Sequence, residues 1–229
     1  MTARAPLFTP VLIAGCLIIM AGFAVRASFG VFQISVAAEV GWARSEFSLA
    51  IAIQNLAWGI GQPLFGAVAE KFGDRRAIIL GGLFYAVGLV ASSYAVTPGA
   101  HQLLAILVGF GIAGMGFGVI LAVVGRAASA ENRSLALGIA TAAGSAGQVV
   151  GPPAAEFLLG FYTWQTVFMM FAAVVLLALF ALPMMRAPER ASRAELEESM
   201  GTVLLRAFRD PSFTLIFVGF FSCGYQLAF

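Results

Sequence analysis

Apolar runs long enough to cross a lipid bilayer recur along this chain of 229 residues. Residues 47–65 contain no charged side chain, and neither do residues 77–96. A helix needs about 20 mainly apolar residues to span the hydrocarbon core of a bilayer. Charged residues make up only 10% of the sequence, whereas soluble domains contain about 25%. We therefore predict an all-α membrane protein that is surrounded by membrane lipid.

The apolar runs predict six full transmembrane helices and the start of a seventh. The predicted spans are residues 10–36, 46–68, 77–96, 102–124, 135–158 and 165–185, followed by a run that begins at residue 213. We divide the chain into a six-helix bundle (1–186), a cytoplasmic linker (187–211) and an incomplete seventh helix (212–229). Because the seventh run continues to Phe229, we expect a missing second half of six further helices to complete the protein.

Basic residues are distributed unequally between the connectors on the two sides of the predicted spans. Eleven of the 13 basic residues fall on one side, Arg44 falls on the other, and Arg26 lies inside the first span. The eleven are Arg4, Lys71, Arg75, Arg76, Arg126, Arg133, Arg186, Arg190, Arg193, Arg206 and Arg209. Cytoplasmic loops carry the excess of Lys and Arg, so we predict a cell (inner) membrane protein with a cytoplasmic N-terminus.

The sequence disfavours a cleaved signal peptide, a nucleic-acid partner and a disulfide. The first apolar run is longer than the 7–15 residues of a cleaved signal peptide, so we interpret it as a transmembrane helix. A net charge of +2 is too small to indicate a nucleic-acid partner. Cys16 and Cys223 lie inside apolar runs, where cysteines behave as small hydrophobic residues. We therefore expect neither a disulfide nor a cofactor.

The loop between the second and third spans, which we call the signature loop, has a specific pattern of glycines and charges. It reads Gly66-x-x-x-Glu70-Lys71-x-Gly73-Asp74-Arg75-Arg76. This resembles the second loop of the major facilitator superfamily, whose pattern is Gly-x-x-x-Asp-Arg-x-Gly-Arg-Arg/Lys. The resemblance implies a conformational latch, in which Glu70 faces a helix of the other half. The family usually has a basic residue at the position of Asp74, and we expect Asp74 instead to cap the third helix.

Glycine spacing in the fourth and fifth spans indicates close helix packing. Gly138, Gly147, Gly151 and Pro152 have the spacing Gly-x8-Gly-x3-Gly-Pro. This resembles the fifth-helix motif of antiporters in the superfamily, but Ala155-Glu156 replaces its paired glycines. A kinked, tightly packed helix is the alternative interpretation. The fourth span carries glycines at 109, 111, 114, 116 and 118, which we interpret as a packing face rather than a dinucleotide site.

Arg26 is the charged residue inside a span that most directly suggests a substrate. The segment Arg26-Ala-Ser28-Phe29-Gly30-Val-Phe32 resembles the first helix of bacterial relatives of monocarboxylate and oxalate–formate carriers. A guanidinium group binds carboxylates well, although Arg26 could instead snorkel to the outer headgroups. Other candidates to line the substrate path are Gln33, Gln54, Asn55, Trp58, Tyr85, Gln148, Tyr225 and Gln226.

The resemblance implies a secondary active transporter of a small organic anion, such as a monocarboxylate, that works by alternating access. The alternatives are a carrier of another solute or a drug efflux antiporter, then a channel or an intramembrane enzyme. An enzyme is disfavoured because the sequence has no His-Glu-x-x-His or Gly-x-Ser-x-Gly motif, and we interpret His101 as an interfacial residue.

The spacing from Ser192 to Phe208 predicts an amphipathic helix along the inner membrane surface.

Overall fold

The computed structural model describes residues 6–186 and 200–228, and these residues form helices without any β-strand. The helices are α1 (Pro10–Val40), α2 (Arg44–Phe72), α3 (Asp74–Ser93), α4 (Pro98–Met115), α5 (Phe117–Ala127), α6 (Arg133–Leu159), α7 (Trp164–Ala178), α8 (Met200–Arg209) and α9 (Pro211–Ala228). A 3₁₀ helix, Leu179–Met184, extends α7. The predicted all-α class is confirmed.

Local sequence signals account for where several helices begin. Thr9, Thr97 and Thr163 each precede a helix, and each side-chain oxygen accepts a hydrogen bond from a backbone amide in the first turn. Proline follows the first two of these caps, where its missing N–H costs nothing. At the other end of α1, Gly41 adopts a left-handed conformation with φ 72°, which glycine tolerates without a steric penalty.

Five of the predicted spans correspond to helices that are long and apolar enough to cross a membrane. These are α1, α3, α4 together with α5, α6, and α7 with its 3₁₀ extension. The second predicted span lies in α2, which has 29 residues but is less apolar because it contains Gln54, Asn55 and Gln62. The predicted fourth span is interrupted at Gly116, between α4 and α5.

Glycine contacts hold the helix pairs of the bundle together. The most extensive contacts join α1 to α6 and α2 to α4, followed by α3 to α4. A Cβ atom at Gly151 of α6 would lie 2.8 Å from the Cα of Ala24, and one at Gly111 of α4 would overlap the backbone of Tyr85. Without a hydrophobic drive in lipid, such close backbone approach contributes much of the association between helices. The predicted packing role of the glycines in the fourth span is confirmed.

The fifth-span motif divides into packed and unpacked positions. Gly147 and Gly151 both lie against the backbone of α1, whereas Gly138 is exposed and a Cβ there would meet nothing within 4 Å. The prediction of a packing role for Gly138 is therefore wrong, because its side of α6 faces away from α1. Pro152 lies inside a helix that continues to Leu159. The sequence motif does not include Gly144, which packs on Phe117 and Ile19.

The chain divides into two compact units, Met1–Pro188 and Glu189–Phe229. Within the second unit, α8 is followed directly by α9, and the ring of Phe208 packs against Phe213 and Phe217. The described helix α8 covers the later part of the predicted amphipathic helix, and residues 192–199 lie outside the described residues.

Candidate functional site

Three of the residues singled out in the sequence meet between α1 and α2. Nη2 of Arg26 donates a hydrogen bond to Oδ1 of Asn55 at 3.1 Å. The guanidinium carbon lies 4.5 Å from the ring centroid of Trp58 and 6.0 Å from that of Phe23. A guanidinium over an indole face gains a cation–π attraction. Arg26 is half-buried and is directed at α2. This orientation favours a role in a binding site over snorkelling to the lipid headgroups.

Two N–H groups in this cluster have no protein partner among the described residues. They are Nε of Arg26 and Nε1 of Trp58, and both atoms are buried. Both groups can only donate hydrogen bonds, and a buried donor without an acceptor is costly. The cluster therefore presents two unpaired donors and a positive charge, which acceptor oxygens and a negative charge would complement.

Gln62 extends this polar face of α2 and was not among the residues selected from the sequence. A Cβ at Gly116 would lie 3.5 Å from Nε2 of Gln62 and 3.6 Å from Nε1 of Trp58. Both polar groups therefore lie next to Gly116, at the break between α4 and α5. Asn55, Trp58 and Gln62 follow the spacing i, i+3, i+7 of one helix face, and this spacing could have identified Gln62.

Two predicted lining residues are buried inside the bundle, so these predictions are wrong. Gln54 is 2% exposed and lies on the face of α2 that meets Gly109 of α4. Tyr85 is 0% exposed, and its hydroxyl donates to the carbonyl of Gly22 at 3.0 Å. Each residue sits on a face that its helix turns toward a neighbouring helix, and an apolar sequence does not reveal that rotation.

The remaining lining candidates lie apart from Arg26 or outside the described side chains. Gln33 donates to the Arg44 carbonyl at 2.9 Å and to Oγ of Ser48 at 2.8 Å, so it ties α1 to the start of α2. Gln148 is half-buried on α6. The side chains of Tyr225 and Gln226 lie outside the described residues, and their roles remain predictions.

His101 is buried in an aromatic cluster at the start of α4. It is 3% exposed and lies in the first turn of α4. Its ring centroid is 5.2 Å from that of Phe47, 5.7 Å from Trp42 and 6.1 Å from Phe168. Rings from the α1–α2 connector, α2 and α7 cover this turn, an enclosure that the sequence did not predict.

The signature loop is exposed at one end of the bundle. Glu70, Lys71, Arg75 and Arg76 are all exposed, and Nζ of Lys71 lies 5.5 Å from the ring centroid of Phe72. A Cβ at Gly66 would meet nothing within 4 Å. A groove of about 510 Å³ opens here, and it is lined by Phe72, Gly73, Asp74, Arg75, Arg76, Met185 and Arg186.

Asp74 forms an ion pair that the sequence did not predict. Its Oδ2 accepts a hydrogen bond from Nη2 of Arg126, while Gly73, with φ 93°, is the N-cap residue of α3. The expectation that Asp74 acts as the cap is therefore wrong. An acidic group in the first turn of α3 and a basic group in the last turn of α5 both suit the helix dipoles, and their pairing joins the two helix ends.

Comparison with known proteins identifies the family of this bundle. Residues 14–229 match the family model of the Major Facilitator Superfamily. The chain belongs to the major facilitator superfamily. The resemblance drawn from the signature loop is thereby confirmed, and the protein is an integral membrane protein of a transporter family.

Curated relatives within the superfamily include both carriers and resistance proteins. Monocarboxylate transporter 13 of Bos taurus is 34% identical over 163 residues, which are 67% of this chain and 36% of that protein. The methyl viologen resistance protein SmvA of Salmonella typhimurium is 25% identical over 167 residues, or 73% of this chain and 32% of SmvA. The chain thus spans about a third of the length of the curated relatives it matches.

Solved structures of superfamily transporters share the fold. The inward-open xylose transporter XylE from E. coli aligns with a TM-score of 0.66 at 17% identity, covering 90% of this chain and 54% of XylE. The peptide transporter POT also gives a TM-score of 0.66, at 16% identity, with 95% of this chain and 46% of POT covered. These likenesses show the fold of the six-helix bundle.

Proposed function

We propose that the protein is a secondary active transporter that carries a small organic anion, such as a monocarboxylate, by alternating access. The observation that carries this proposal is the pair of buried, unpaired donors, Nε of Arg26 and Nε1 of Trp58, together with the positive charge of the Arg26 guanidinium. A carboxylate supplies two acceptor oxygens and the opposite charge, so it meets both requirements. Similarity to monocarboxylate transporters supports the same assignment.

The rival function is drug efflux, which the similarity to SmvA favours. Methyl viologen, which that protein's name mentions, is a cation, and a half-buried guanidinium at the site would repel it. Arg26 therefore favours an anionic substrate. In our proposal a second half of six helices completes the substrate path, because superfamily carriers of this kind bind at the interface of two repeats.

Competition for uptake tests the proposed function. Vesicles containing the full-length protein should take up labelled pyruvate, and unlabelled lactate or oxalate should compete with it. Methyl viologen at the same concentration should not compete, since the Arg26 site repels cations. Vesicles from cells without the protein provide the background rate. Efflux of methyl viologen together with no anion uptake would contradict the proposal and favour the efflux alternative.

We further propose that the signature loop is cytoplasmic, acts as the latch, and lies on the same side as the N-terminus of an inner-membrane protein. In a background without Cys16 and Cys223, single cysteines at Ser45 and Ala130 should react with an impermeant maleimide from opposite sides. Both positions are exposed, whereas the neighbouring hydroxyl of Ser129 is buried. We expect Ser45→Cys to be labelled from outside intact cells and Ala130→Cys only in inverted vesicles. Labelling of both from one side would contradict this topology.

A further inference from the structure

Tyr85 is a polar residue in the centre of the bundle whose hydroxyl bonds to another helix. It lies on α3 and is 0% exposed. Its hydroxyl donates to the carbonyl of Gly22 on α1 at 3.0 Å. A buried phenol usually finds such a partner, but a phenylalanine would fill the same space without requiring one. The choice of tyrosine therefore needs an explanation beyond packing.

The acceptor of this hydrogen bond lies one helical turn before Arg26. In an α-helix the amide of residue i bonds to the carbonyl of residue i−4, so within α1 (Pro10–Val40) the Gly22 carbonyl receives the amide of Arg26. A carbonyl oxygen has two lone pairs and can accept both bonds. The Tyr85 hydroxyl thus holds the peptide group to which the backbone of Arg26 is attached.

Both ends of the Tyr85 side chain are held in place. At its base, a Cβ at Gly111 of α4 would lie 2.5 Å from the Cα of Tyr85, so the two backbones are in close contact. At its tip, the hydroxyl is bonded to Gly22. Elsewhere on α1, Gly147 and Gly151 of α6 lie against the backbone between Met20 and Ala24. The segment of α1 that precedes Arg26 is therefore held by both α3 and α6.

We propose that Tyr85 is a positioning residue for Arg26: it sets the rotation and depth of α1 so that the guanidinium meets Asn55 and Trp58. This inference rests on the proposed function only for its effect on transport. The positioning itself is a property of the substrate-free protein. A rotation of α1 by a few degrees would move the tip of a side chain as long as that of arginine away from its partners on α2.

The test compares Tyr85→Phe with Tyr94→Phe. Tyr94 ends the same helix and is 70% exposed, so it is a matched control for the lost hydroxyl. We expect Tyr85→Phe to raise the KM for pyruvate about fivefold, the equivalent of one hydrogen bond, with kcat changed less than about twofold. Tyr94→Phe should leave both constants unchanged. A fall in kcat without a change in KM would show a merely structural role and overturn the proposal.

Trp58 fluorescence gives a second readout that does not depend on transport. The emission of Trp58 is obtained by recording the spectrum of each variant and subtracting the spectrum of the same variant with Trp58→Phe added. Both spectra are measured on monodisperse protein without substrate. In Tyr85→Phe we expect this difference spectrum to shift toward that of Arg26→Gln, because the guanidinium leaves the indole face. An unchanged spectrum would overturn the positioning role. If Arg26→Gln transports normally while this shift occurs, the proposed anion site fails and the positioning inference survives.

Discussion

Replacing Arg26 with Gln is expected to raise the KM for an anionic substrate about 30-fold or more, since losing one partner of a desolvated charge pair costs about 2–5 kcal/mol. The substitution keeps a polar side chain but removes the positive charge that lies over Trp58. Arg26→Lys should retain part of the affinity, because the charge remains while the planar fork is lost. Uptake kinetics of labelled pyruvate in vesicles measure both variants.

Arg44→Gln is the matched control for the lost charge. Arg44 is exposed in the first turn of α2, and it is the basic residue predicted to lie on the outer side. We expect the KM of Arg44→Gln for pyruvate to stay within about twofold of the wild-type value, because salt screens the interaction of an exposed charge with the substrate. Wild-type kinetics in Arg26→Gln, with normal expression, would show that the guanidinium does not bind the substrate.

Adding one methyl group at Gly151 is expected to destabilise the bundle by about 2–3 kcal/mol, within the range for overpacking. The Cβ of Gly151→Ala would collide with the backbone of Ala24, and backbone on both sides cannot rotate away as a flexible side chain can. The helices α1 and α6 would have to separate, and Arg26 lies only two residues beyond the contact. Transport should fall together with stability.

Gly138→Ala adds the same methyl group on the same helix, but we expect it to stabilise the bundle slightly. A Cβ there meets nothing within 4 Å, and alanine is favoured over glycine in a helix by up to about 1 kcal/mol. The fraction of monodisperse protein remaining after a heating series measures both variants. Equal melting behaviour of the two variants would contradict the packing assignment of Gly151.

Much of the fold follows from the sequence alone because transfer of apolar side chains into lipid is a property of each segment. The uncharged runs predicted where α3 and α6 lie, to within a few residues at each end. The signature loop from Gly66 to Arg76 indicated the superfamily through its spacing of glycines and charges. Arg26, Asn55 and Trp58 were also chosen from sequence, because polar groups are rare in apolar spans.

The tertiary structure decided which face of each helix meets which neighbour. Gly138 and Gly151 look alike in the sequence, but only Gly151 contacts α1. Tyr85 and His101 are polar groups near apolar runs, yet the rings and carbonyls that enclose them come from distant parts of the chain. Asp74 and Arg126 are 52 positions apart. Helix rotation and partner choice arise from contacts between segments, so hydropathy and spacing within one segment do not encode them.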